Sequence, residues 1–226
     1  LIDSGINKLD FCDCLVGGKH FYVEENYVCC DDSFDDDNGH GSACAYTIKS
    51  MFPKAQFYVI KILDQNLETV YPVLEAALEH CMDLKYHIIN LSLSLLEDAE
   101  SVNLKPICDA LQKKGKIIVA SVSNGHRQSF PAAYPSVIGV RGSFFSSSEE
   151  YWYNSKKDIQ CIADISPTFT SWTLDNYFMF SGNSRVGITD KTREALQTLD
   201  SRNENGAFDS KLIADTKTGF TLFTPI

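Results

Sequence analysis

Three short segments carry residue types able to do nucleophilic chemistry. Leu1-Ile2-Asp3-Ser4-Gly5 sets a carboxylate at the end of an apolar run, just before a turn glycine. In open α/β sheets functional groups gather at the carboxyl ends of strands, although Asp-Ser-Gly also marks ordinary turns. Asp37-Asn38-Gly39-His40-Gly41-Ser42-Ala43-Cys44-Ala45 holds a histidine between glycines at the start of a small-residue helix. Glycines there let another stretch of backbone approach closely; the plainer reading is a helix start with an incidental histidine. Phe180-Ser181-Gly182-Asn183-Ser184-Arg185-Val186-Gly187 places a serine where an extended segment enters a helix running to about Leu199. A helix N-terminus aims unpaired N–H groups at an oxyanion, but serine is also a common N-cap. Together the carboxylate, imidazole and hydroxyl are what an activated serine needs: a base for its proton and an acid group that orients the base.

These residues need a rigid frame, and the chain alternates apolar runs with amphipathic stretches. Gln56–Leu63, His87–Leu93, Lys116–Ala120 and Ser136–Val140 read as strands. Residues 70–84 have helical periodicity through Val73, Leu74, Ala77, Leu78 and Cys81, and 101–114 read as a second helix stopped by Gly115. Apolar strands separated by helices indicate parallel βαβ units buried on both faces, hence an α/β fold with a doubly wound, mostly parallel sheet. Residues 141–158, rich in Ser, Glu and Lys, read as a surface excursion, and the tail beyond 201 gives only a strand near Phe220–Phe223. No linker divides the chain, so one domain over 1–226 is expected. Leu1 opens inside a strand, which leaves room for a signal, propeptide or first strand ahead of it.

Composition narrows the function classes. The chain has 226 residues, 20 basic and 30 acidic, for a formal charge of -10. That balance argues against a nucleic-acid partner, which requires a basic footprint. No apolar run reaches the ~18 residues of a membrane span. Neither a Gly-x-Gly-x-x-Gly turn nor a phosphate loop is present, which argues against a nucleotide-binding protein. Cys44, Cys81, Cys108 and Cys161 lie in apolar runs, as small hydrophobes do. Cys12, Cys14, Cys29 and Cys30 lack the common zinc spacing and an accompanying His pair, so reduced thiols in a cytoplasmic protein are expected rather than a metal site; a disulfide between the two clusters is the alternative. The acidic run Asp31–Asp37 lacks the regular ligand spacing of a calcium loop and reads as a solvated loop.

The order Asp3, His40, Ser184 and the segments around them resemble the subtilisin-like serine proteases, or subtilases. Ile88-Ile89-Asn90-Leu91-Ser92-Leu93-Ser94 resembles the family strand that bears a wall of the primary specificity pocket. Val119-Ala120-Ser121-Val122-Ser123-Asn124-Gly125 resembles the strand that ends in the oxyanion-hole asparagine. The stretch from Phe130 to Val140 resembles the following pocket segment, where the family's cis proline would be Pro135. The resemblance covers roughly residues 1–200 and implies a three-layer subtilisin-like fold and a serine endopeptidase. It implies Ser184 as nucleophile, His40 as base, Asp3 as its orienting carboxylate and Asn124 as oxyanion donor. A peptide or protein substrate would pair with the strand edge at Leu91, Ser92, Leu93 and Ser94. No cofactor is required for that chemistry.

The chain departs from the family pattern around the serine. The usual Gly-Thr-Ser-Met-Ala is Gly182-Asn183-Ser184-Arg185-Val186 here, and Ile188 stands where the family has a helix-opening proline. Ser94 replaces a pocket glycine, which implies a narrower pocket. The Arg185 and Ile188 changes motivate the competing expectation, a catalytically inactive subtilase-like module that binds peptides. An intracellular processing protease suits the thiol-rich composition better than a secreted one.

Overall fold

The computed structural model describes residues 1–96, 102–146 and 150–164 in full, together with the backbone of the strands Thr168–Thr173, Asn176–Phe180 and Thr221–Phe223. Ten described strands form one sheet in the order β12-β8-β9-β7-β6-β5-β1-β4-β2-β3. They are β1 (Ile2–Asp3), β2 (Leu15–Glu24), β3 (Tyr27–Asp31), β4 (Phe57–Lys61), β5 (Ile88–Leu91), β6 (Ile117–Ser121), β7 (Ile138–Ser143), β8 (Tyr151–Tyr153), β9 (Cys161–Asp164) and β12 (Thr221–Phe223). β10 (Thr168–Thr173) and β11 (Asn176–Phe180) pair with each other as a separate antiparallel ribbon. The sheet is parallel from β2 through β9, with antiparallel pairs only at its margins: β3 on β2, and β8 on β9 and β12.

Three described helices cover the sheet: α1 (His40–Met51), α2 (Tyr71–His80) and α3 (Leu104–Lys113). β4 shows why both faces need cover, because its side chains alternate across the sheet. Phe57 and Val59 pack with Cys44, Ala45 and Ile48 of α1. Ile60 joins the opposite cluster, with Leu74 and Leu78 of α2 and Leu104 and Leu111 of α3. This is the expected three-layer, doubly wound α/β arrangement. After β1 the chain builds β2, β3 and β4 on one side, then crosses by α2 to β5 on the other. β1 therefore sits at the switch point, where the carboxyl ends of an open sheet form a crevice.

The strands and helices expected within the described residues are present, with shifted ends. α2 stops at His80 rather than 84, and α3 begins at Leu104. The stretch 141–158 is less of an excursion than expected: β7 runs to Ser143, and Tyr151–Tyr153 enters the sheet as β8 with Tyr153 buried. Its aromatic triplet supplies the apolar surface that the Ser- and Lys-rich flanks concealed. The cis peptide bond is Phe130–Pro131, not the bond before Pro135. Both prolines follow an aromatic residue, so the sequence offers little to separate them. Phe130, just ahead of Pro131, exchanges both backbone hydrogen bonds with Leu95, each 2.8 Å.

Leu78 is fully buried in the larger core. Leu78→Ala is expected to lower unfolding stability by about 2–5 kcal/mol, read as a reduced urea midpoint at unchanged slope.

Candidate active site

Asp3 ends β1, and its neighbours in the parallel ladder are β4 and β5. Ile2 is level with Leu91, and Leu91 with Ala120, so Asp3, Ser92 and Ser121 open onto the same end of the sheet. The turn after β1 brings the chain against α1. Gly5 has φ +118°, and a Cβ there would lie 2.6 Å from the Asp35 carbonyl oxygen. At Gly41 a Cβ would lie 2.2 Å from the Gly5 carbonyl oxygen and 3.2 Å from Asp3 Cβ. The glycine beside His40 thus permits the close backbone approach expected from the sequence, between the first turn of α1 and the end of β1.

That approach places His40 Nδ1 2.7 Å from Asp3 Oδ1. Oδ1 also accepts the Ser4 N–H at 2.7 Å. Asp3 is wholly buried, whereas the His40 side chain is 17% exposed, so the imidazole forms the solvent-facing side of the pair. One helical turn on, Cys44 Sγ lies 3.8 Å from His40 Nδ1. Burial pushes the Cys44 thiol up to about 11, which keeps it neutral near pH 7. Burial alone would lower the His40 pKa, but its interactions with Cys44 and Asp3 outweigh this and raise it above the ordinary imidazole value. With Cys44 neutral, the lasting negative charge is that of Asp3. The attraction between Asp3 and protonated His40 therefore stabilises the fold fully below about pH 6.5 and fades as pH rises through the raised value.

Asp36 fastens these parts together. Its Oδ1 accepts the Ser4 hydroxyl at 2.8 Å and the N–H groups of Asn38 and Gly39 at 3.1 and 2.8 Å. Its Oδ2 accepts the Ser42 N–H at 2.8 Å and the Ser42 hydroxyl at 2.6 Å. Ser4 Oγ in turn accepts the Gly41 N–H at 2.9 Å. The N-cap of α1, Gly39, has no side chain, so Asp36, Ser4 and Asn38, whose Oδ1 accepts the His40 N–H at 3.2 Å, supply the acceptors for the orphan N–H groups of the first turn. Burial opposes ionisation of Asp36, but these donors prevail and hold its pKa below the ordinary carboxylate value. The acidic run is thus not simply a solvated loop: Asp36 is half-buried, and Asp37 pairs with buried Lys61. Sequence reasoning missed Asp36, whose partners are up to 32 residues away.

The other expected site residues are distributed as follows. Leu91 lies within the sheet between β1 and β6, its backbone aligned with both neighbours. Ser92, Leu93 and Ser94 run on beyond the strand end, and Ser92 Oγ accepts from Asn90 Nδ2 at 2.9 Å. Asn124 is exposed in the turn that follows β6, on the same end of the sheet as Asp3. Ser184, with Arg185, Ile188 and the helix expected to Leu199, lies outside the described residues. All eight cysteines are free thiols, so the disulfide alternative between the two clusters is not realised. Among the described residues, Cys12, Cys14, Cys29 and Cys30 join no group of three candidate metal ligands.

A family model described as "Subtilase family" matches residues 1–210. The chain belongs to the subtilase family. It is 33% identical over 159 residues to the minor extracellular protease Epr of Bacillus subtilis, a match covering 62% of this chain and 22% of that protein. It is 25% identical over 181 residues to a thermostable alkaline protease of Halalkalibacterium halodurans, covering 75% of this chain and 48% of the relative. The major intracellular serine protease of Bacillus subtilis is 24% identical over 203 residues, covering 81% of this chain and 62% of the relative. This subtilase chain therefore spans less than two thirds of the length of these relatives. No described helix is long and apolar enough to cross a membrane.

The Gly41–Gly5 approach is a direct test of the subtilase site geometry. Gly41→Ala is expected to cost about 1–3 kcal/mol by overpacking, because the atom it meets is backbone. Thermal unfolding should show the loss; an unchanged midpoint would mean that α1 is not pressed against β1.

Proposed function

We propose that this subtilase chain is a serine endopeptidase domain acting through Asp3, His40 and Ser184, with an acyl-enzyme intermediate. The observation that carries this reading is the 2.7 Å Asp3–His40 pair, with a buried carboxylate and a partly exposed imidazole at the switch point of the sheet. With Nδ1–H held by Asp3, the neutral tautomer presents the lone pair of Nε2 as a base. Ser184 Oγ attacks the peptide carbonyl as His40 Nε2 takes its proton, and the imidazolium then protonates the leaving amine. Water repeats the sequence to release the acyl group. Asn124 and the Ser184 N–H donate to the oxyanion. Leu91, paired on both sides and buried, offers no free strand edge, contrary to the expectation from the sequence; Ser92, Leu93 and Ser94, beyond the strand end, line the path of an extended peptide, and Ser94 narrows the pocket relative to the glycine usual in the family. The substrate is a peptide or protein. This chemistry requires no cofactor, and the acidic charge balance disfavours a nucleic-acid partner. Free thiols, together with likeness to an intracellular protease, favour a cytoplasmic processing role.

The second reading is a peptide-binding module without turnover, favoured by Arg185 and Ile188 directly after the serine. A fluorophosphonate probe followed by peptide mass spectrometry separates the two. The protease reading expects an adduct on Ser184 that is lost on heat denaturation and in His40→Ala. Absence of the adduct from folded protein would favour the module.

The raised His40 pKa fixes the direction of the pH profile. The base works only when neutral, so kcat/KM should rise with pH, with a midpoint above the ~6.5 of free imidazole. Asp3→Asn removes the charge that favours the imidazolium and should move the midpoint down, while lowering kcat by roughly 10⁴-fold. A midpoint unmoved by Asp3→Asn would show that Asp3 does not set the protonation of His40.

A further inference from the structure

Cys44 has no part in the peptidase chemistry, yet it lies directly beneath it. His40 and Cys44 are four residues apart on α1 and so share one helix face. One ligand atom from each of Asp3, His40 and Cys44 can be chosen so that all lie within 4.8 Å of one another. The 3.8 Å between His40 Nδ1 and Cys44 Sγ is close to the separation of two ligands on a tetrahedral ion with bonds of about 2.0 and 2.3 Å. A second observation points the same way. Asp3 is wholly buried, and its Oδ2 has no hydrogen-bond partner among the described residues, although Oδ1 engages two groups. A buried carboxylate oxygen left without a donor is costly, and a cation is one of the few groups that satisfies it.

We propose that Asp3, His40 and Cys44 form an inhibitory site for a thiophilic divalent cation of the zinc type. The donor set of one carboxylate oxygen, one imidazole nitrogen and one thiolate suits zinc and excludes calcium and magnesium, which take oxygen ligands. The consequence for catalysis rests on the peptidase reading above. Binding breaks the 2.7 Å Nδ1–H···Oδ1 hydrogen bond and takes the Nδ1 lone pair, so the proton that Nδ1 carried is relocated to Nε2, while the Cys44 thiol proton leaves to solvent and the metal replaces that proton as the partner of the Asp3 carboxylate. Nε2 then bears a hydrogen and cannot accept the Ser184 proton. The metal thus disables the base without touching the nucleophile, and a chelator reverses it. A cell could hold such a peptidase silent until zinc is withdrawn.

The test uses the whole reduced chain with zinc and cobalt(II) chlorides. Cobalt should give a thiolate-to-metal absorption band in the near ultraviolet that weakens in Cys44→Ser and Cys44→Ala. Zinc should suppress fluorophosphonate labelling of Ser184, EDTA should restore it, and each Cys44 variant should need about tenfold more zinc or higher, relative to its own metal-free labelling. Circular dichroism checks that each variant is folded; the serine variant keeps a small polar atom in place should the alanine variant not fold. A cobalt band of equal strength in both variants, or equal zinc sensitivity, would overturn the site. If the metal-free protein takes no label while the Cys44-dependent cobalt band is present, the metal site stands and the peptidase reading fails.

Discussion

The close approach of the first turn of α1 to the end of β1 is the constraint on which the site depends. It is a contact between two backbones, with Gly41 against Gly5, and a single methyl group at either position would collide with a carbonyl oxygen. Only at that separation can the short Asp3 side chain reach an imidazole on the helix. The approach also strips water from the helix terminus, leaving N–H groups that require new acceptors. Ser4 Oγ, both oxygens of Asp36 and Asn38 Oδ1 provide them. Docking and capping are therefore one event: the acceptors that satisfy the helix start also bind the strand end, through the Ser4 hydroxyl.

The sheet carries this arrangement because β1 is short and central. Two residues suffice for it, since β4 and β5 fix it from both sides and its apolar member, Ile2, is buried in the main core. The polar member falls at the carboxyl end, where neighbouring parallel strands also finish. The crevice expected at a topological switch point is thus lined by residues whose backbones are held by the sheet and whose side chains are not needed by the core.

Much of this was legible in the sequence. The buried strands β4, β5 and β6 read directly as apolar runs, and α2 as a helical period, because burial on both faces or on one stripe leaves a local pattern. The glycines around His40 were informative because close approach excludes any other residue. The β2–β3 hairpin was not legible. Its strands are mostly half-exposed, and its turn is Glu25-Asn26, with φ of +49° and +69°, rather than the Asn-Gly that signals such a turn. Asp36 was hidden for another reason: it is one acid among many, and only its distant partners distinguish it from Asp35 and Asp37. Local period is written in the sequence, whereas long-range hydrogen bonding is not.

The remaining question is why a fully buried carboxylate at Asp3 has the imidazole as its counter-ion. The ladder places Lys61 level with Asp3 on β4, and Lys61 is itself buried. A lysine bound to Asp3 would compete with His40 for the carboxylate. The structure sends it elsewhere: its ammonium donates to the Asp35 carbonyl at 2.8 Å and to the Asp37 carboxylate. The acidic loop thus has two separate effects. Asp36 builds the helix start, and its neighbours on either side hold a competing cation, so that the charge of Asp3 acts on His40. Burial strengthens that interaction by excluding screening water. The charge that raises the imidazole pKa is the same one that favours the tautomer with its proton on Nδ1, so a single contact fixes both the orientation of the ring and the direction of its pKa shift. Partial burial of the ring works against that rise, because it disfavours the imidazolium, while the part left exposed keeps the ring accessible from solvent.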